Sequence, residues 1–198
     1  MRVFYPQGAG GEFTEWLFGA DRVGEILKLA GPYGNFFERP ASAPMICVAG
    51  GSGLAPIVAV LQAHLNGHRD TSAGHEPPPV RDCWLYFGAR TDADLYYLDE
   101  INAIGREWPG EFHFVPVLSE QDAARSWDGA QGLVTEIMDE ALKRHSPDPA
   151  THGYLCGPPP MVDAGVAALK ANGVSADNLF FDKFLDASTQ PGGRAGLK

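Results

Sequence analysis

One apolar run that stops in glycines and a proline constrains this chain more than any other feature. Met45-Ile46-Cys47-Val48-Ala49 leads directly into Gly50-Gly51-Ser52-Gly53-Leu54-Ala55-Pro56. The run has the length of a buried strand. The glycines let the backbone approach an anion, and a following helix start offers free N–H groups and the positive end of its dipole. Pro56 suits a first helical turn, because its missing N–H would have no helical partner there. The spacing departs from the common dinucleotide fingerprint: Gly51 and Gly53 supply the first two glycines of G-x-G-x-x-G, and the third position is Pro56. Read alone, the loop fits an ordinary strand–helix turn as well as a phosphate cradle, since short glycine motifs recur by chance.

The rest of the chain repeats this arrangement. Strands are predicted at 45–49, 83–87, 112–118, 154–156 and 178–184, and helices at 56–65, 93–107, 135–145 and 162–172. Such alternation predicts an α/β fold with a parallel sheet and helices on both faces. In such sheets the ligand lies beyond the carboxyl ends of the strands. Three Gly or Pro turns fall at these ends: 50–56, 88–90 and 157–160. Before the first of these strands the pattern differs. A strand is expected at 1–5, a turn at 6–11, a short helix at 13–18 capped by Thr14, and a strand at 23–30 closed by Gly31-Pro32-Tyr33-Gly34. Pro40 to Pro44 reads as a linker. Domains are therefore expected at 1–40 and 41–186, with a frayed tail at 187–198.

Single residues carry two readings each. Arg90 can meet a phosphate or stack on adenine. Asp92 and Asp94 can cap a helix or accept a ribose hydroxyl. Cys156, just before the stiff Gly157-Pro158-Pro159-Pro160, can wall a flat ring or be a buried thiol, the commoner fate of a free cysteine. Cys47 and Cys83 read as structural thiols. Tyr96 and Tyr97 read as packing, and His64, His68 and His75 as solvated. The cysteines are three, far apart and without a C-x-x-C pair, so neither zinc, an iron–sulfur cluster nor a disulfide framework is expected. The formal net charge of -10 argues against nucleic acid and anionic membrane as partners. No apolar run has the length of a membrane span. A soluble, cytoplasmic protein is expected.

Together the motifs "GPYG" (31–34), "VAGGSGLAP" (48–56), "YFGARTDADLYYLDE" (86–100), "WDGAQGLVT" (127–135), "YLCGPPPM" (154–161) and "FFDKF" (180–184) resemble the ferredoxin–NADP reductase superfamily. The likeness is nearest to NADH-dependent reductase components of multicomponent oxygenases, of the soluble methane monooxygenase type. The resemblance implies a ferredoxin reductase-like nucleotide domain preceded by the remnant of an antiparallel β-barrel flavin domain. It implies that G-x-G-x-x-P seats the pyrophosphate of a nicotinamide dinucleotide. Gly88, Arg90 and Asp94 would serve its other end. Gly157, Pro158, Pro159 and Met161 would guide the nicotinamide, with Cys156 beside its reactive carbon. Asp182 and Phe184 hold the spacing of the family's acidic residue and flavin-covering aromatic, with Asp where Glu is frequent. "GEFT" matches the family's G-x-x-[ST] flavin pyrophosphate motif, which places Gly11, Phe13 and Thr14, with Gly31, Pro32 and Gly34, at FAD.

The implied function is electron transfer: hydride from NADH to FAD, then electrons through an iron–sulfur domain or ferredoxin to an oxygenase component. The family's R-x-Y-[ST] flavin motif is absent from the sequence, as is an iron–sulfur motif, so this chain is expected either to be part of a longer reductase or to have lost the first half of its flavin site. The alternative is a nucleotide-binding module without independent flavin turnover. The chain alone is then expected to hold FAD weakly, which a visible spectrum after desalting would show. Gly53→Val is expected to weaken dinucleotide binding while leaving the chain folded.

Overall fold

The computed structural model describes residues 12–28, 30–31, 33–120 and 126–184. The chain divides into two compact units, Met1–Asn35 and Phe36–Lys198. The expected strand at 1–5, the turn at 6–11, Gly11, Pro32 and the tail from residue 185 lie outside the described residues.

In the first unit the described regular element is helix α1, Glu12–Phe18. It begins before Thr14, which therefore stands inside the helix rather than at its cap; Phe13 also lies within it. The strand expected at 23–30 does not form among its described residues. The Glu25 N–H bonds back to the Arg22 carbonyl at 3.1 Å, closing a turn. Gly24 takes φ +90, and Val23 and Ile26 are 93% and 92% exposed. A strand needs a buried face or a hydrogen-bonded neighbour, and this stretch shows no buried face. Gly31 and Gly34, at φ +156 and +86, turn the backbone where Gly is least strained.

The second unit is a six-stranded sheet. Its elements run β1 (Met45–Gly50), α2 (Leu54–Arg69), β2 (Cys83–Ala89), α3 (Leu98–Glu107), β3 (Phe112–Leu118), β4 (Ala130–Gln131), α4 (Val134–His145), β5 (His152–Gly157), α5 (Pro159–Ala171) and β6 (Leu179–Lys183). The strand order is β4-β3-β2-β1-β5-β6, and every pairing is parallel. Alternation along the strands feeds two cores. Met45, Cys47, Ala49, Leu85, Phe87 and Tyr154 pack under α2 and α3. Ile46, Val48, Tyr86, Val117 and Leu155 pack under α4 and α5.

Among the differences from the periodicity, three have a clear physical reason. α2 runs four residues past Leu65, because His64 and Leu65 are buried and the helix continues over the sheet. The helix expected at 93–107 is broken: a 3-10 turn at Asp92–Asp94 precedes α3, and Tyr97 takes φ 64 between them. β4, only two residues long, gives no periodic signal; it pairs Ala130 with Val117 and Gln131 with Leu118.

One surprise lies at the amino-terminal edge of the sheet. Arg81 is 2% exposed. It donates to the carbonyls of Arg39 and Pro44, both at 3.1 Å, and stands 3.7 Å from a Glu38 carboxylate oxygen. The same oxygen lies 3.4 Å from His64 Nδ1. His64 is 1% exposed and stacks on Trp108 at 4.7 Å, so it is a core histidine and not a solvated one. His68 packs against it at 4.8 Å, and its Nε2 is buried too. His75, more exposed, bonds the Gly67 carbonyl.

Candidate nucleotide site

β1 has β2 on one side and β5 on the other, so chain order reverses beside β1. That switch point opens a crevice at the carboxyl ends of the two strands. Its rims are the Gly50–Pro56 loop and the Gly157–Met161 loop, and they meet through glycine backbone. A Cβ on Gly53 would lie 2.0 Å from the Cys156 carbonyl oxygen and 2.8 Å from the Gly157 nitrogen. One on Gly157 would lie 3.0 Å from the Gly50 carbonyl oxygen, and one on Gly50 would lie 2.5 Å from Met161 Sδ and 3.0 Å from Pro158 Cδ. The sequence suggests room for an anion as the reason for Gly53. Its backbone, at φ -61 and ψ -12, suits any residue. What excludes a side chain there is the β5 backbone. Gly51, at φ +51 with open space around it, and Gly157, at φ +149, are the two that also use glycine's conformational freedom here.

α2 starts at Leu54, with Ala55 and Pro56 in its first turn and no acidic residue there. Its first N–H groups and dipole thus face the crevice mouth without a resident carboxylate, which fits a pyrophosphate. Ser52 is part of the preceding 3-10 turn, Gly51–Gly53. α5 starts at Pro159 with Pro158 as its cap, so two helix starts flank the crevice.

The third loop comes from β2. A Cβ on Gly88 would lie 2.9 Å from Val134 Cγ1, so its role is close packing of β2 on α4. Arg90 is exposed, with Nε 3.9 Å from Asp94 Oδ2. That same oxygen accepts from the Thr91 N–H and hydroxyl, both at 3.0 Å. Asp94 is therefore a turn cap, the plainer of its two readings, and those hydrogen bonds hold its pKa below the usual carboxylate value.

Tyr96 ties the loops together, a role its sequence context did not show. Its hydroxyl donates to the Gly51 carbonyl at 3.2 Å, and its ring meets Phe87 edge-on at 5.7 Å. Tyr96→Phe should leave the melting temperature within a few degrees yet weaken dinucleotide and ADP-ribose binding equally, roughly three- to tenfold, by freeing the Gly51 turn. Parallel titrations of the two ligands check this; an unchanged affinity would make Tyr96 packing alone.

Cys156 is fully buried at the end of β5, in register with Asp182 of β6. Burial, then the Asp182 carboxylate, pushes its pKa from 9.0 to about 12. Burial also pushes Tyr96 and Tyr154 up to about 12. Phe184 follows β6, is 37% exposed, and donates its N–H to the Gly157 carbonyl at 3.0 Å. The raised values have a consequence for stability. Above pH 9 the unfolded chain sheds protons that the folded chain keeps, so folding weakens as pH rises toward 12. The melting temperature should therefore fall steadily between about pH 9 and 11. Calorimetry across that range checks it, and a flat profile would mean these groups titrate normally.

The family described as Oxidoreductase NAD-binding domain matches residues 47–166, from β1 into α5. The chain belongs to that family. The chain is 47% identical over 175 residues to "Xylene/toluene monooxygenase electron transfer component XylA" of Pseudomonas putida, covering 88% of this chain and 46% of the relative. It is 41% identical over 182 residues to "Propane 2-monooxygenase, reductase component" of Mycolicibacterium goodii, covering 91% of this chain and 48% of the relative. The chain thus spans about half the length of these curated relatives. Among solved structures, "Ferredoxin reductase in carbazole 1,9a-dioxygenase" aligns with a TM-score of 0.68 at 29% identity, covering 91% of this chain and 50% of that one. The Amycolatopsis cytochrome P450 reductase GcoB aligns at 0.64 and 36% identity, covering 79% and 43%. The fold is that of a ferredoxin reductase-like NAD-binding domain, as the sequence resemblance implied.

Proposed function

We propose that this NAD-binding domain serves an electron-transfer reductase that draws hydride from NADH and delivers electrons to an oxygenase. The contact of Gly53 with the Cys156–Gly157 backbone carries the reading, because it builds a narrow crevice floored by peptide groups between two helix starts. Gly50 to Pro56 would hold the pyrophosphate. Gly157, Pro158, Pro159 and Met161 would border the nicotinamide, with Cys156 packed behind them as a neutral thiol. NADH, when bound, supplies the hydride; the residues here orient it and exclude water. Asp182, within β6, and Phe184, just after it, lie beside Cys156 and Gly157 and would face FAD. Gly11, Phe13, Thr14, Gly31, Pro32 and Gly34 would contact FAD, as the family resemblance implies, within a first domain spanning residues 1–40, with 41–186 as the nucleotide domain and 187–198 a tail. Electrons would continue through an iron–sulfur centre supplied outside these residues. The relatives named as monooxygenase components support an oxygenase as the final partner. A cytoplasmic setting is part of this reading; no helix of the described residues is long and apolar enough to cross a membrane.

NADH should bind at least tenfold tighter than NADPH. Asp94 stays ionised, stands against Arg90, and would meet a 2′-phosphate with like charge. Fluorescence titration with both nucleotides tests this. Tighter binding of NADPH would overturn the preference, and no saturable binding of either would overturn the site.

A further inference from the structure

The crevice does not account for a cavity of about 630 Å³ at the opposite, amino-terminal edge of the sheet. Pro44, Glu111 and Thr151, which precede β1, β3 and β5, all border it. Its volume is that of a small-molecule pocket. Ile46, Trp84 and Tyr86 line it from the sheet face under α4, and Leu142 and Pro147 from the other side. Trp84 is stacked on His113 at 5.0 Å, with 16° between the ring planes. That gives the cavity a flat aromatic wall.

Two buried hydroxyl residues line the same space. Tyr86 is 4% exposed and Thr151 is 1% exposed. Among the described residues Thr151 Oγ1 is buried and has no hydrogen-bond partner. A polar group this deeply buried is ordinarily bonded, so Thr151 leaves one polar group unmet in the cavity wall.

The charge around the cavity has one sign. Glu111 and Asp148 border it, and α4 ends there at Ser146, presenting the negative end of its dipole. No lysine or arginine is among the lining residues. The two cations of the last α4 turn are held back along the helix, Lys143 by Asp139 at 2.5 Å and Arg144 by Glu140 at 3.4 Å. His113 and His145 also line it, and His113 Nε2 already lies 3.2 Å from Glu111.

We propose that this cavity binds a small organic cation with a flat apolar body. The body would lie along Trp84 and Leu142, where an aromatic face attracts a cation as well as an apolar ring. The ammonium would sit between Glu111 and Asp148. This inference is independent of the nucleotide site.

Calorimetry on the full chain with three probes of one ring system tests it: tryptamine, indole and indole-3-acetate. Tryptamine should bind saturably, at least tenfold tighter than indole-3-acetate. Glu111→Gln combined with Asp148→Asn, both exposed and tolerant of the change, should lower tryptamine affinity about tenfold and leave NADH affinity unchanged. Equal affinities for all three probes, no saturable tryptamine binding at millimolar concentration, an unaffected double variant, or displacement of tryptamine by NADH would each overturn the proposal.

Discussion

Gly53→Val should both destabilise the NAD-binding domain and lower its NADH affinity on the order of 100-fold, the equivalent of two factors of ten at about 1.4 kcal/mol each. A Cβ here would collide with the Cys156 carbonyl at 2.0 Å, and neither β1 nor β5 can give way without parting the sheet. Stability should fall by about 3 kcal/mol, at the upper end of ordinary overpacking. This corrects the expectation that the variant would stay fully folded with only its anion contact blocked. Gly51→Ala is the control. Its Cβ would meet open space, so it costs only the left-handed backbone, about 1 kcal/mol. Urea melts and NADH titrations on both variants separate the effects. If Gly51→Ala proved the more damaging, backbone conformation and not strand contact would govern the loop.

Arg81→Met should cost about 3 kcal/mol or more, because breaking a buried ion pair strands its remaining members. The carbonyls of Arg39 and Pro44 would lose this donor, and Glu38 would lose its arginine while keeping His64 Nδ1 at 3.4 Å. Protection from hydrogen exchange should be lost first over residues 36–44, the segment Arg81 pins to the sheet. Glu38→Gln should cost less, since an amide can still accept from Arg81. The double variant should show coupling, as residues in one network do. NADH affinity of the folded protein should be unchanged, because the cluster lies at the sheet edge away from the glycine loops. A change of less than 1 kcal/mol in Arg81→Met would mean that the pair's desolvation cancels its attraction.

Much of the nucleotide domain was legible because its signals are local. Five of its strands and four of its helices follow from apolar runs and periodicity, which need only neighbours in sequence. The glycine and proline turns were correctly placed at strand ends for the same reason. Where the signal was local but lacked a tertiary partner, the reading failed. Val23 to Ala30 has the residue types of a strand, yet Val23 and Ile26 are exposed. Tyr97 carries no mark of the left-handed conformation that splits the expected helix before α3.

Residue types alone determined that this chain builds a parallel α/β sheet with glycine loops at one edge, because strand and helix periods and turn chemistry are properties of short segments. The tertiary structure alone decided what those residues touch. It made Gly53 a contact with β5 and not a hinge, Asp94 a cap and Tyr96 a tie to Gly51. It buried His64, which reads as solvated from sequence, together with Arg81, and Glu38, 26 residues from His64, returns to face them both. Such contacts join positions far apart in the chain, and no pattern within a segment encodes which distant group will arrive.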